Sequence, residues 1–173
     1  DLAYAEKQLK QAEKHYQAAA AINPDDGQLA QRLGLMEEAN GNLAAAAIQF
    51  EKGVAALDGD VVSIRPNLGA IYNRRGEYQR TLDLFKSVPL DKAKNYAAYI
   101  VVAEARFGLG KPAEALALLE KARAAAPRHP APWLVTGRIA RQTQDYRLAI
   151  SALTEYLRLR PNAPGGEMEL ALA

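Results

Sequence analysis

An all-α chain of stacked antiparallel helix pairs, an α-solenoid, is the fold class this sequence predicts, and three observations carry that expectation. Alanine supplies 35 of the 173 residues while aromatics make up only 7%. Alanine is the strongest helix former because ordering it freezes no side-chain rotamers, and its small size lets helices approach closely. Proline stands at 24, 127 and 161, the last two 34 residues apart and the first two separated by three such periods plus one. Between these stops, small and bulky apolar residues recur at fixed offsets, the mark of a repeated supersecondary unit.

The 34-residue ruler divides the chain into a partial unit over 1–26, units over 27–61, 62–95, 96–129 and 130–163, and a fresh start over 164–173. The first helix of each unit carries a bulky or β-branched residue beside a small one: Leu33 with Gly34, Leu68 with Gly69, Val102 with Ala103, Thr136 with Gly137, and Leu170 with Ala171. Gly41, Gly76 and Gly110 follow at the midpoint, where a left-handed residue ends a helix at low steric cost. The second helix pairs a small residue with a large one four positions on: Ala12 with Tyr16, Ala46 with Phe50, Thr81 with Phe85, Ala115 with Leu119, and Ala149 with Leu153. Residues four apart share a helix face, so each pair is a packing stripe. This pattern predicts helices over 5–22, 28–39, 43–56, 65–74, 78–87, 96–108, 112–125, 132–143, 146–160 and 166–172. The unit over 62–95 is the irregular one. Pro66 is tolerated only in the first turn of its helix, and Pro89 should end the second helix near Ser87, leaving "VPLDKAK" as a longer connection.

The period, the turn glycines and the small-large pairs together resemble the tetratricopeptide repeat, a 34-residue helix-turn-helix unit. The best matches are "YAAYIVVAEARFGLGKPAEALALLEKARAAAP" and the unit carrying Trp133, Gly137, Tyr146, Ala149 and Pro161. Departures are also legible. Asp58 and Ala93 replace the terminal proline, Gln144 replaces the turn glycine, and Glu37 and Arg106 stand where the family usually has a large apolar residue. The resemblance implies a right-handed superhelix in which first helices line a concave groove. The chain begins inside a second helix and ends inside a first one, which predicts a piece of a longer array, and its alanine, leucine and arginine usage looks bacterial. Long bacterial arrays of this family serve envelope assemblies such as polysaccharide export, pilus biogenesis or secretion, so the periplasm or envelope is favoured over the cytoplasm.

Composition narrows the chemistry. There is no cysteine, which excludes disulfides and thiolate metal sites, and the formal charge of +2 is too small to argue for nucleic acid by itself. The charge is uneven, with ten acids and five bases in residues 1–60 against ten acids and seventeen bases in residues 61–173. No apolar run approaches the roughly 20 residues of a membrane-spanning helix, so no membrane insertion by this segment is expected. The two histidines, His15 and His129, lie three repeats apart, and the three serines, Ser63, Ser87 and Ser151, stand in no nucleophile motif. "GLG" at 108–110 lacks the lysine-serine pair of a phosphate loop. The expectation is no enzyme, no cofactor and no metal, with His129 capping the helix that begins near Pro130 and with Tyr4, Tyr16, Tyr72, Tyr78, Tyr99, Tyr146 and Trp133 used in packing.

Binding is the remaining role. Carried over from the family unit by unit, the groove would present Gln28, Gln31, Arg32, Leu35 and Glu38, then Asn67, Ala70, Asn73 and Arg74. It continues with Ala97, Ile100, Val101, Glu104 and Phe107, then Leu134, Val135, Arg138 and Arg141. Arginines flanking an apolar patch suit a protein or peptide that is acidic and apolar, because guanidinium forks bind carboxylates while the patch buries an anchor. The terminal-carboxylate clamp known in the family is not reproduced: Asn67 fits it, whereas Gln31, Leu35, Ala97 and Val101 do not. The alternatives are a structural spacer that self-associates through unfinished repeat ends and, more weakly, an RNA-binding repeat of the pentatricopeptide type.

Overall fold

A computed structural model describes residues 2–56, 64–88, 90–93, 95–161 and 170–171. Asp58, Pro89 and most of the helix expected over 166–172 lie outside the described residues, as does the side chain of Tyr4. Among the described residues the secondary structure is helical throughout. The helices are α1 (Leu2–Ile22), α2 (Gly27–Ala39), α3 (Leu43–Ala56), α4 (Ile64–Arg74), α5 (Tyr78–Leu84), α6 (Leu90–Ala93), α7 (Tyr96–Gly108), α8 (Pro112–Ala125), α9 (Ala131–Gln142) and α10 (Tyr146–Leu159). They fall into two compact units, Asp1–Arg75 and Gly76–Ala173.

In the first unit α2 and α3 form a helix hairpin, α1 packs on α2, and α4 packs on α3. Asp26 starts α2 by accepting the Gln28 and Leu29 amides, each at 3.0 Å. The small-large pattern acts directly here. A Cβ built on Gly34 would lie 2.7 Å from the ring of Phe50, so the bare backbone of α2 is what lets that ring pack against it. Ala46 and Phe50 are fully buried. The α3–α4 contact adds a hydrogen bond from Tyr72 Oη to Glu51 Oε1 of 2.8 Å.

In the second unit α7–α8 and α9–α10 are the two full hairpins, α8 packs on α9, and α7 touches both α5 and α9. Ala103, Ala115, Leu119 and Ile139 make one core cluster joining α7, α8 and α9. Ala149 and Leu153 are fully buried on α10, and a Cβ on Gly137 would meet Leu153 Cγ at 2.6 Å. Asn95 caps α7 by accepting the Ala97 amide at 2.9 Å, and Asp145 caps α10 by accepting the Leu148 amide at 3.1 Å.

The hairpin turns are built alike. Each closes with an amide bonded five residues back, Asn42 to Glu37, Lys111 to Arg106 and Asp145 to Ala140, at 2.8, 2.9 and 2.9 Å. The preceding amide bonds three residues back, which is the Schellman arrangement and demands a left-handed residue. Gly41 and Gly110 supply it at φ 79° and 75°, and Gln144 adopts φ 63° in the same place despite its side chain. The turn geometry therefore survives where the glycine does not.

Three expectations need correction. The second helix of the irregular unit stops at Leu84 rather than Ser87, and the chain continues as a tighter turn with Phe85 bonded to Leu82 and Lys86 to Asp83. Val88 precedes proline, which disfavours helical geometry there and draws the exit forward. The connection "VPLDKAK" is also more than a loop, because it contains the short helix α6. Asp91 on α6 accepts from Lys121 Nζ at 2.9 Å and from Tyr99 Oη at 3.0 Å, pinning the turn to α8 and α7. Tyr72 and Tyr99 are buried as packing residues, but Tyr146 is 52% exposed.

Two measurements follow. Gly137→Ala should lower stability by about 1–3 kcal/mol through overpacking against Leu153. Gly110→Ala, where an added Cβ meets nothing within 4 Å, should cost about 1–2 kcal/mol through backbone strain alone; both are read from denaturant midpoints. The bonds from Lys121 and then Tyr99 hold the Asp91 carboxyl below the ordinary carboxylate range. A depressed acid stabilises above its unfolded pKa and loses that contribution as pH falls through the folded one. Acidification below the ordinary carboxylate range should therefore release α6, seen as a loss of amide protection at 90–93 that Asp91→Asn makes independent of pH.

Candidate functional site

The residues proposed for partner binding sit on first helices, and the two units present different surfaces. In the first unit Arg32 on α2 is exposed, Leu35 is 45% exposed, and Asn67 and Asn73 on α4 are half-buried. Arg74 is exposed but engaged: its Nη1 donates to Glu38 Oε1 at 2.8 Å, tying the end of α4 to the end of α2. The charge expected at this place is thus neutralised within the chain. What remains is a polar face around one aliphatic side chain.

In the second unit Ile100 and Phe107 on α7 and Val135 on α9 pack from the outside against the Ala103–Ala115–Leu119–Ile139 cluster. All three are half-buried, as is Leu134. They form an apolar surface whose inner side is core and whose outer side is open. Leu134, Arg138 and Arg141 follow at i, i+4 and i+7, so they share one stripe of α9. Arg138 is exposed, Arg141 and Glu104 are half-buried, and each of these three has a partner within the chain. Val101 departs from the expectation: at 6% exposure it is buried, so it serves packing and leaves the candidate face.

Other polar groups are structural. His129 Nδ1 accepts the Ala131 amide at 3.3 Å at the start of α9, as its position before Pro130 predicts. With Nδ1 accepting, Nε2 carries the proton and donates to Tyr96 Oη at 3.0 Å. Sequence reasoning missed Arg123 on α8. Its guanidinium lies 4.7 Å from the centroid of the Trp133 ring and donates to Thr136 Oγ1 at 2.8 Å, while Thr136 itself donates to the Pro132 carbonyl at 2.8 Å. Desolvation by burial lowers the Arg123 pKa, and Glu120 opposes that shift. No spacing rule pairs positions ten and thirteen apart across a turn, so the sequence carried no signal for this lock.

Among the described residues no three His, Cys, Asp or Glu side chains gather in a way that could hold a metal ion. No described helix is long and apolar enough to cross a membrane.

With this geometry in view, comparison with known proteins settles the family. The family model described as tetratricopeptide repeat matches residues 1–61 and 103–164, well over half of the chain. No match was found among curated proteins. Solved structures agree on the fold. A thermophilic tetratricopeptide-repeat protein from Thermus thermophilus is 23% identical, with a TM-score of 0.76 over 84% of this chain and 79% of that one. The pilF protein of Pseudomonas aeruginosa is 17% identical, with a TM-score of 0.70 over 97% of this chain and 77% of that one. YrrB, described as a tetratricopeptide-repeat protein with an unusual peptide-binding site, is 15% identical, with a TM-score of 0.65 over 96% of this chain and 86% of that one. Proteins of this family generally act as non-catalytic scaffolds for protein interaction. The chain, an all-α solenoid of helix pairs, belongs to the tetratricopeptide-repeat family.

Proposed function

We propose that this chain is a non-catalytic docking scaffold that takes another protein or peptide on the first-helix face of its second unit. The observation that supports this reading most is that Ile100, Phe107 and Val135 pack half-buried against the core cluster of α7, α8 and α9, while Leu134, Arg138 and Arg141 share one stripe of α9. Apolar atoms packed on one side and open on the other gain from being covered, at about 25 cal/mol per Å². Polar groups on the same stripe fix what covers them. The finer reading places the partner in a bacterial envelope assembly. It rests on the family association with such assemblies alone.

Peptides selected from a random display library on this chain should shift the amide resonances of α7 and α9. Leu134→Asp should weaken their binding at least about tenfold, a loss of about 1.4 kcal/mol, with helix content unchanged by circular dichroism. Shifts confined to α8 and α10, or full binding by Leu134→Asp, would remove this face from the account. Concentration-dependent polymers by light scattering, without peptide binding, would favour a self-associating spacer instead.

A further inference from the structure

We infer that His129 is a proton-operated latch on the start of α9, closed by the neutral imidazole and opened when the ring takes up a proton. The inference stands apart from the docking reading, because it concerns one turn and its readout needs no partner.

Both nitrogens of the ring are committed. Nδ1 accepts the Ala131 amide at 3.3 Å and Nε2 donates to Tyr96 Oη at 3.0 Å, with the two ring centroids 4.2 Å apart. Only the neutral ring protonated at Nε2 fills both roles. The turn makes the first of them hard to replace. It reads "APRHPAP" over 126–132, and its three prolines bring no amide. In the first turn of α9 the Trp133 and Leu134 amides both bond to the Pro130 carbonyl, each at 3.1 Å. Ala131 holds the one remaining amide, and the imidazole is what accepts it.

A second proton changes the two bonds unequally. The imidazolium carries N–H at both nitrogens. The Tyr96 bond survives, since Nε2 still donates to the phenol oxygen. The Ala131 bond does not, because Nδ1–H then faces another N–H. The positive end of the α9 dipole repels the same charge. The charged ring therefore stays with Tyr96 on α7 and lets the start of α9 go.

The neighbouring elements bring no carboxylate to offset this. Helix α9 has no acid, and the acid of α7, Glu104, stands eight residues from Tyr96, about 12 Å along the helix. On α8, Glu114 pairs with Arg106 and Lys111, and Glu120 lies 3.9 Å from Arg123. On α6, Asp91 is held by Lys121 and Tyr99. The charged residues nearest to His129 along the chain, Arg128 and Arg123, are both cations. At the negative end of α8 the Ala126 carbonyl already accepts the His129 amide at 3.0 Å. Among the described residues no carboxylate is bonded to the imidazole.

Amide hydrogen exchange, followed residue by residue from about pH 8 to about pH 5, tests this. Each rate is divided by that of an unstructured peptide of the same sequence at the same pH. Protection of the Ala131 amide should fall about fivefold, the worth of one helix cap, in step with the His129 titration seen by NMR. His129→Asn keeps an oxygen that can accept an amide two residues on, as Asp26 does for Gln28, but has no proton to gain. Its Ala131 protection should be the same at both ends of the range. His15→Asn, on α1, should leave the fall in place. A neutral His129 ring whose proton sits on Nδ1 by nitrogen-15 NMR overturns the inference. So does Ala131 protection that stays flat while His129 titrates, a fall that persists in His129→Asn, or one that disappears in His15→Asn.

Discussion

The structure depends on one contact repeated along the chain, a large apolar side chain of the second helix seated on a small residue of the first. Gly34 under Phe50 and Gly137 under Leu153 are close forms of it, with any added Cβ falling at 2.7 and 2.6 Å. Ala103 in the cluster with Ala115 and Leu119 is a looser one, where the extra methyl is accommodated. Dispersion falls steeply with distance, so the small residue matters because it brings many carbon atoms to contact distance at once. Each hairpin then presents an apolar edge that it cannot cover itself, and in such arrays the neighbouring helix completes the core.

That constraint also explains how function is distributed. Second helices commit their buried stripe, Ala46 with Phe50, Ala115 with Leu119 and Ala149 with Leu153, to holding the hairpins together. First helices are pinned at their small residue and keep a second stripe for other uses. On α9 that stripe is Leu134, Arg138 and Arg141, while Ile139 and Ala140 between them are buried. One helix can thus vary its exposed residues without disturbing the core, which is how a shared scaffold serves different partners.

The parts of the fold that were legible in the sequence are those set by local rules. Hairpin turns were readable from glycine, and even Gln144 was placed correctly because the period located the left-handed position independently of the residue occupying it. Features made by residues distant in sequence were not readable. The Asp91 bonds to Tyr99 and Lys121 tie down a short helix in a stretch that Pro89 marked as a connection. Arg123 found Trp133 and Thr136 across a turn, and Arg74 found Glu38 from 36 residues away. Val101 illustrates the limit on a helix face: one residue is about 100° of arc, enough to move it from a groove into the interior beside the half-open Ile100. The candidate face is therefore legible as a set of helices, whereas its membership had to be read from burial.

The most direct measurement of the central claim is a double-mutant cycle of Gly137→Ala with Leu153→Ala, followed by denaturant unfolding. If the bulky residue seated on the small one organises the hairpin, the methyl at 137 should do far less harm once Leu153 is truncated, giving a coupling energy of about 1 kcal/mol or more. Additive losses within about 0.5 kcal/mol would show that the two positions act independently and would contradict the account.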